Sequence, residues 1–152
     1  MAKLYVDKKI RINAPAQKVW EALTSRACTD IWSLEFGSDG PLMHVESDWQ
    51  LGSPVLWKDE EGTLLVQGIV TAVTPRKMMR YTVFDTRTER PETSPEDGIT
   101  YELTEQEGNT MLHVRQGDFG TLPDGAKYRA LSAQTWDRVL PRIKTLAEVE
   151  LP

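Results

Sequence analysis

YRALSAQTWDRVLPRIKTLA, residues 128–147, is the stretch whose reading decides the fold. Tyr128, Leu131, Thr135, Val139, Ile143 and Leu146 recur at three- and four-residue spacing, flanked by Ser132, Trp136, Leu140 and Ala147, so one broad stripe of an α-helix is apolar. The helical period begins after Pro123 and holds to the end. Some twenty-five residues at about 1.5 Å each make a helix of about 37 Å, long enough to cross a whole small sheet. Pro141 lies inside it, removes one N–H and crowds the carbonyl of Asp137, so a kink is expected there unless the helix breaks. A stripe this broad must be buried, and the rest of the chain has to supply the surface that buries it.

That surface is a sheet. Residues 4–13, LYVDKKIRIN, put Leu4, Val6, Ile10 and Ile12 on one face and Tyr5, Asp7, Lys9 and Arg11 on the other, with Lys8 the one polar interruption of the apolar side. Asn13 then reads as a helix cap, with Pro15 in the first turn, where a missing N–H costs nothing. Val19, Trp20 and Leu23 form one helix face. A second short helix over Arg26 to Ser33 presents Cys28, Ile31 and Trp32. After a glycine-bearing break from Phe36 to Pro41 the period returns to two. Met43 and Val45 alternate with His44 and Glu46, then come Val55 and Trp57, a turn at Asp59 to Gly62, and a longer strand from Leu64 to Val73. A turn at Thr74 to Lys77 precedes Met79, Tyr81 and Val83. Asp85 to Asp97, DTRTERPETSPED, reads as a polar loop. Ile99, Tyr101 and Leu103 pair through a turn at Glu107 to Asn109 with Leu112 and Val114, a hairpin whose turn is not of the tightest type. About six strands therefore follow the two short helices. Strands in succession, rather than alternating with helices, make an antiparallel sheet and an α+β domain over residues 1–152. A sheet curving around a helix leaves a gap between them, and that gap is a ligand cavity.

Composition narrows the function. The chain has 152 residues, of which 39% are hydrophobic and 27% charged, and a net charge of −5. That balance suits one globular domain. It opposes binding to nucleic acid or to an anionic membrane surface, since no basic patch breaks it. The lone Cys28 excludes an intrachain disulfide, and His44 and His113 form no ligand-spaced pair, so no metal or other cofactor is expected. No apolar run approaches the ~20 residues that span a bilayer, and the N-terminus lacks the apolar core of a signal peptide. Cytoplasmic is the expected location.

The chain is similar to the SRPBCC superfamily (START and Bet v 1-like, the helix-grip fold). Within it, the chain resembles the branch related to the activator-of-Hsp90-ATPase C-terminal domain. The pieces that carry the likeness are residues 10–24 (IRINAPAQKVWEALT), residues 47–53 (SDWQLGS) with Trp57, and Gly68-Ile69-Val70 leading to Pro75 and Tyr81-Thr82. Trp136, Leu140, Ile143 and Lys144 complete it in the last helix. The resemblance implies a curved antiparallel sheet wrapped around a long C-terminal helix, with two short helices after the first strand. An uninterrupted last helix also belongs to that pattern, and Pro141 departs from it.

The resemblance also implies a small apolar or amphipathic ligand, lipid-like in character, between sheet and helix. The inward positions that would line its cavity are Trp32, Val55, Trp57, Tyr81, Val83, Tyr101, Leu103, Leu112, Thr135, Trp136, Val139 and Leu140. Each has a plainer reading as core. Trp20 reads as packing, and Trp49, ahead of a glycine turn, as a surface or strand-edge residue. No catalytic set assembles. Both histidines have the outward parity of their strands, Glu102 and Glu105 read as solvated, Asp85 and Asp118 as turn caps, and the serines lack a nucleophile elbow. Non-catalytic binding of a small molecule is the leading expectation. An enzyme of the polyketide cyclase, dehydratase or hydrolase type in the same cavity is the alternative, and a module stimulating a chaperone ATPase is a third. A homodimer is compatible with each.

Overall fold

The structure is a computed structural model and describes residues 4–33, 44–85, 98–117, 119–121 and 124–149. Met43, the break at residues 36–41, most of the expected polar loop (86–97), Asp118 and Pro123 lie outside the described residues. The elements run β1 (Val6–Ile12), α1 (Ala16–Thr24), α2 (Arg26–Trp32), β2 (His44–Glu46), β3 (Pro54–Lys58), β4 (Leu64–Thr74), β5 (Met78–Tyr81) and β6 (Phe84–Asp85). They continue with β7 (Gly98–Gln106), β8 (Asn109–Gly117), a single 3₁₀ turn at Phe119–Thr121 and α3 (Gly125–Glu148). All strand pairs described are antiparallel, in the order β1-β8-β7-β5-β4-β3-β2, with the two-residue β6 paired to β4. The α+β helix-grip architecture is thus the one expected, with one more strand than the pattern suggested. The extra strand is β6, too short to show a period, and it takes Asp85 out of the loop where it was expected as a cap.

The curled sheet runs through β4, which has β3 on one edge and β5 on the other. Its first half pairs with β3 and its second with β5, with a register shift between Val70 and Ala72. Gly68 sits near the change. A Cβ there would lie 1.7 Å from the carbonyl oxygen of Thr82, so only glycine lets the two backbones meet. Thr82 seals the junction: its N–H donates to the Ile69 carbonyl at 3.0 Å and its hydroxyl accepts from the Ile69 N–H at 2.9 Å. The same junction ends β5 at Tyr81, so Val83 falls outside the strand in which alternation had placed it and is half-buried.

The hairpin of β7 and β8 corrects a second expectation. Gln106 pairs with Asn109, which leaves a two-residue loop with Glu107 at φ 54° and Gly108 at φ 81°. Two positive φ values in succession are the tight primed turn whose twist matches the strands. Glu107 tolerates a conformation usually given to asparagine or glycine, which is why its sequence did not announce the turn.

Helix α3 has 24 residues and runs through Pro141 without breaking. Trp136, Val139, Leu140, Ile143, Leu146 and Ala147 are buried, but Tyr128 and Leu131 are exposed and Thr135 is half-exposed. The predicted stripe is therefore buried only in its C-terminal part, where α3 packs on β1, α1 and α2. In α2 the buried set is Cys28, Thr29 and Trp32, while Ile31 faces out. With about two turns, that helix is too short for spacing alone to fix which side turns inward. The N-terminus of α1 is not capped by Asn13: its N-cap is Pro15, and the Ala16 N–H donates to Glu105 Oε1 of β7 at 2.6 Å. Asn13 instead donates its backbone N–H to Glu148 Oε2 at 2.7 Å, and Lys144 holds the same oxygen. Lys8, the polar interruption of β1, pairs with Asp137 of α3 at 3.0 Å.

Two measurements follow from this framework. Gly68→Ala is expected to lower stability by about 3 kcal/mol or more, because backbone must move, and to lower Tm by about 10 °C in a thermal melt. The Glu148 carboxyl is held below the ordinary glutamate range, first by the hydrogen bond from Lys144 and then by the one from the Asn13 N–H. A carboxylate with a depressed native pKa stabilises the fold above its unfolded pKa and loses that contribution as pH falls through the native value. The Tm gap between the native chain and Glu148→Gln should therefore be widest near neutral pH and close on acidification.

Candidate functional site

Along a strand, alternate side chains face the same way, so Tyr81 on β5 and Tyr101 on β7 both point to the concave face beneath α3. They are diagonal neighbours, since Tyr81 pairs with Ile99 and Met79 with Tyr101. Their rings meet edge-on at 5.7 Å and their hydroxyl oxygens are 2.7 Å apart. On one side Tyr101 meets the edge of Trp136 from α3 at 6.1 Å. On the other, Tyr81 meets Trp49 at 5.4 Å. Four rings thus form one column from the helix to the segment before β3, each contact T-shaped, the geometry favoured by the ring quadrupole. Trp136 ends the column by donating its indole N–H to Gln116 Oε1 at 2.9 Å.

Trp49 overturns the reading of a surface residue. It is buried, and it adopts φ 55°, the left-handed region that an indole-bearing residue rarely occupies. The segment around it imposes this: Ser47 Oγ accepts the Trp49 N–H at 3.0 Å, and the Gly52 N–H donates to the Val70 carbonyl at 2.8 Å. Only the tertiary position of β4 makes that second bond, so no local motif announces the burial of Trp49.

The hydroxyl pair is chemically unusual. Both tyrosines are fully buried, and one hydroxyl hydrogen lies between the two oxygens. The other has no acceptor among the described residues. Loss of solvent pushes both phenols well up from their ordinary pKa. In Tyr101 the neighbouring Tyr81 adds to the rise, whereas in Tyr81 the bond from Tyr101 partly opposes it. Both are neutral donors at any physiological pH, and neither is a base.

Trp49 also lines a cleft of about 250 Å³ between α2 and strands β2 and β3, together with Arg26, Thr29, Glu46, Asp48 and Leu56. Charged pairs rim it. Arg26 reaches Glu46 at 3.3 Å and Asp30 at 3.4 Å, Lys58 reaches Glu46 at 3.2 Å, and His44 Nδ1 faces Asp30 Oδ1 at 3.4 Å. His113, on the other side of the molecule, bonds Asp7 at 2.7 Å. Both histidines are partly covered by these carboxylates rather than free in solvent.

The twelve residues expected to line a cavity fall into distinct places. Val55, Leu112, Val139, Leu103 and Leu140 are core. Trp32 and Trp57 meet edge-on at 6.5 Å, and Trp32 donates to the Ala22 carbonyl at 2.8 Å. Tyr81, Tyr101 and Trp136 form the column. Val83 lies beyond the end of β5, and Thr135 turns its hydroxyl to the Leu131 carbonyl of its own helix at 3.1 Å. Cys28 is fully buried, with its thiol pushed up chiefly by burial, which marks an unreactive sulfur. Among the described residues, no group of three His, Cys, Asp or Glu side chains could hold a metal ion, and no helix is long and apolar enough to cross a membrane.

Known proteins share this architecture. A protein of Cytophaga hutchinsonii, ChR145, is 27% identical over 96% of this chain and 95% of its own, with a TM-score of 0.70. The Aha1 dimer of Colwellia psychrerythraea is 18% identical, covers 98% of this chain and 99% of its own, and has a TM-score of 0.72. Protein MLL2253 of Mesorhizobium loti is 21% identical over 93% and 95%, with a TM-score of 0.69. No curated protein matches in sequence. Residues 13–148, from just after β1 to the end of α3, match the family described as Activator of Hsp90 ATPase homolog 1-like protein. The chain belongs to that family, as its helix-grip fold and the residues around Trp49 and Trp136 had suggested.

Proposed function

We propose that the chain binds a small amphipathic molecule between the concave face of the sheet and α3, reached through the cleft at Trp49, without transforming it. The observation that carries this is the Tyr81–Tyr101 hydroxyl pair. A buried O–H without an acceptor costs about 1–3 kcal/mol, and a ligand bearing one carbonyl, ether or hydroxyl oxygen removes that cost while its apolar body packs against the indoles. A binder recognises its ligand by apolar walls with few fixed polar groups. Here the polar groups are two neutral phenols, which can orient an acceptor oxygen but cannot take a proton at neutral pH. Trp49 has its place between the cleft and the column, in a backbone conformation that costs about 1–2 kcal/mol. A shift of the segment that returns its backbone to negative φ would release that strain and, with the indole moved, open the way to Tyr81. Of the residues expected from sequence, Tyr81, Tyr101 and Trp136 are the proposed contacts, and Trp49 joins them.

Native mass spectrometry of the protein from its source cells, against the same sample denatured, should release a co-purifying small molecule. Titration with an apolar ketone should quench tryptophan fluorescence and raise Tm, and Tyr81→Phe should weaken that binding up to about tenfold. An unchanged fluorescence and Tm across apolar probes would sink the proposal. In the absence of ligand, Tyr81→Phe should cost about 0.5–1.5 kcal/mol, the loss of one hydrogen bond, since one O–H is left without an acceptor before and after the change. The double variant with Tyr101→Phe should cost less than the two single changes added together.

A further inference from the structure

The face of the sheet turned away from α3 carries a second cleft, of about 280 Å³, lined by Tyr5, Arg80, Gly98, Thr100, Glu102 and Arg115. We infer that it is a binding site for a small oxyanion, the phosphate or carboxylate group of a metabolite, held by Arg80 and Arg115 on either side of Thr100.

The register builds it. Arg80 of β5 lies opposite Thr100 of β7, and Thr100 lies opposite Arg115 of β8. With strands about 4.8 Å apart, the two arginine backbones stand about 10 Å from each other across one row, a span that two long side chains close around a tetrahedral or planar anion. Both guanidinium groups are aimed rather than free to wander. Arg80 donates its Nε–H to the Thr100 hydroxyl at 3.0 Å. The Arg115 guanidinium lies 5.0 Å from the centre of the Tyr5 ring, with its Nε 3.7 Å from Asp7. Asp7 is shared, since it also takes the bond from His113 at 2.7 Å. The terminal nitrogens of both arginines have no partner among the described residues, which leaves the pair of forks unspent.

Two glycines make the hollow. Gly98 and Gly117 pair directly across β7 and β8, next to the arginine row, so neither strand raises a side chain there. A Cβ on Gly117 would lie 2.4 Å from Cδ1 of Tyr5, so the Tyr5 ring lies down against the sheet only because that position is glycine. The ring in turn supports Arg115. Arg80 is half-buried and Arg115 exposed, and their terminal nitrogens meet in one cleft beside two carboxylates, Asp7 on Arg115 and Glu102 on the lining. Glu102 opposes them from two residues along β7, and its carboxylate would repel an anion, which fixes the sign of one test below. This site is independent of the interior one, since it lies on the opposite face of the sheet.

The test is an NMR titration of the ¹⁵N-labelled chain at low salt, in one arm with inorganic phosphate and in the other with acetate. Saturable shifts are expected at the amides of Gly98, Thr100 and Arg115 in at least one arm, and the stronger arm identifies the anion class. Arg80→Gln and Arg115→Gln should each weaken binding about tenfold, Glu102→Gln should tighten it, and Lys127→Gln, an exposed charge on α3, should leave it unchanged. Arg115 is exposed, so its variant keeps the test open should Arg80→Gln fail to fold. Shifts that never saturate, or an equal loss in Arg115→Gln and Lys127→Gln, would overturn the site. So would weaker binding in Glu102→Gln.

Discussion

A 24-residue helix with an apolar face can exist in water only if something covers that face, and here the curled sheet does so together with α1 and α2. Within the sheet, β4 passes from pairing with β3 to pairing with β5 near Gly68, where two backbones approach more closely than any Cβ would allow. Gly68 and Thr82 sit where Trp49 reaches the column, while the register of β5 on β7 sets the Tyr81–Tyr101 contact. Burying each large side chain of the column is worth about 1.5–3 kcal/mol or more, so the arrangement serves stability as well as recognition.

Charged groups fix where the helices begin and end. Glu105, on an exposed strand position, reaches the first turn of α1 and satisfies a backbone N–H that no local side chain caps. A carboxylate at a helix N-terminus also meets the positive end of the helix dipole. At the far end of the chain, Glu148 links α3 to the residue just after β1 through the Asn13 N–H. Lys8 and Asp137 add a tie between β1 and α3, and the lysine stem covers apolar surface while its amine stays at the edge. These links join residues 89 to 135 positions apart in the chain, and none follows a local motif.

The two proposed sites differ in chemistry because the two faces of a strand differ. One face of the sheet presents Tyr81 and Tyr101 to the interior; the other presents Arg80 and Arg115 on either side of the buried Thr100. Alternation places a neutral, dry pair of donors within about one strand's thickness of a charged, wet pair. The interior donors suit an oxygen on an apolar body, and the outer ones an anion. The family to which the chain belongs fixes neither choice, since a fold does not fix a function.

The amino-acid sequence by itself determined the element order, the α+β class and the greater part of the core, because period-two and period-3.6 patterns reflect one-dimensional spacing that survives in three dimensions. Val55, Trp57, Tyr81, Tyr101, Leu103, Leu112, Trp136 and Val139 are buried where alternation or the helical stripe put them. Only the tertiary structure decided the rest. Trp49 is buried in a segment bonded to β4, Glu105 caps a helix that begins 89 residues earlier in the chain, and Tyr128 and Leu131 of the helix stripe are exposed and Thr135 half-exposed. The meeting of Tyr81 with Tyr101, and of Arg80 with Arg115 across Thr100, likewise depends on strand register. Register and curvature are set by contacts between distant segments, and no local pattern encodes which oxygen of one strand will face which hydrogen of another.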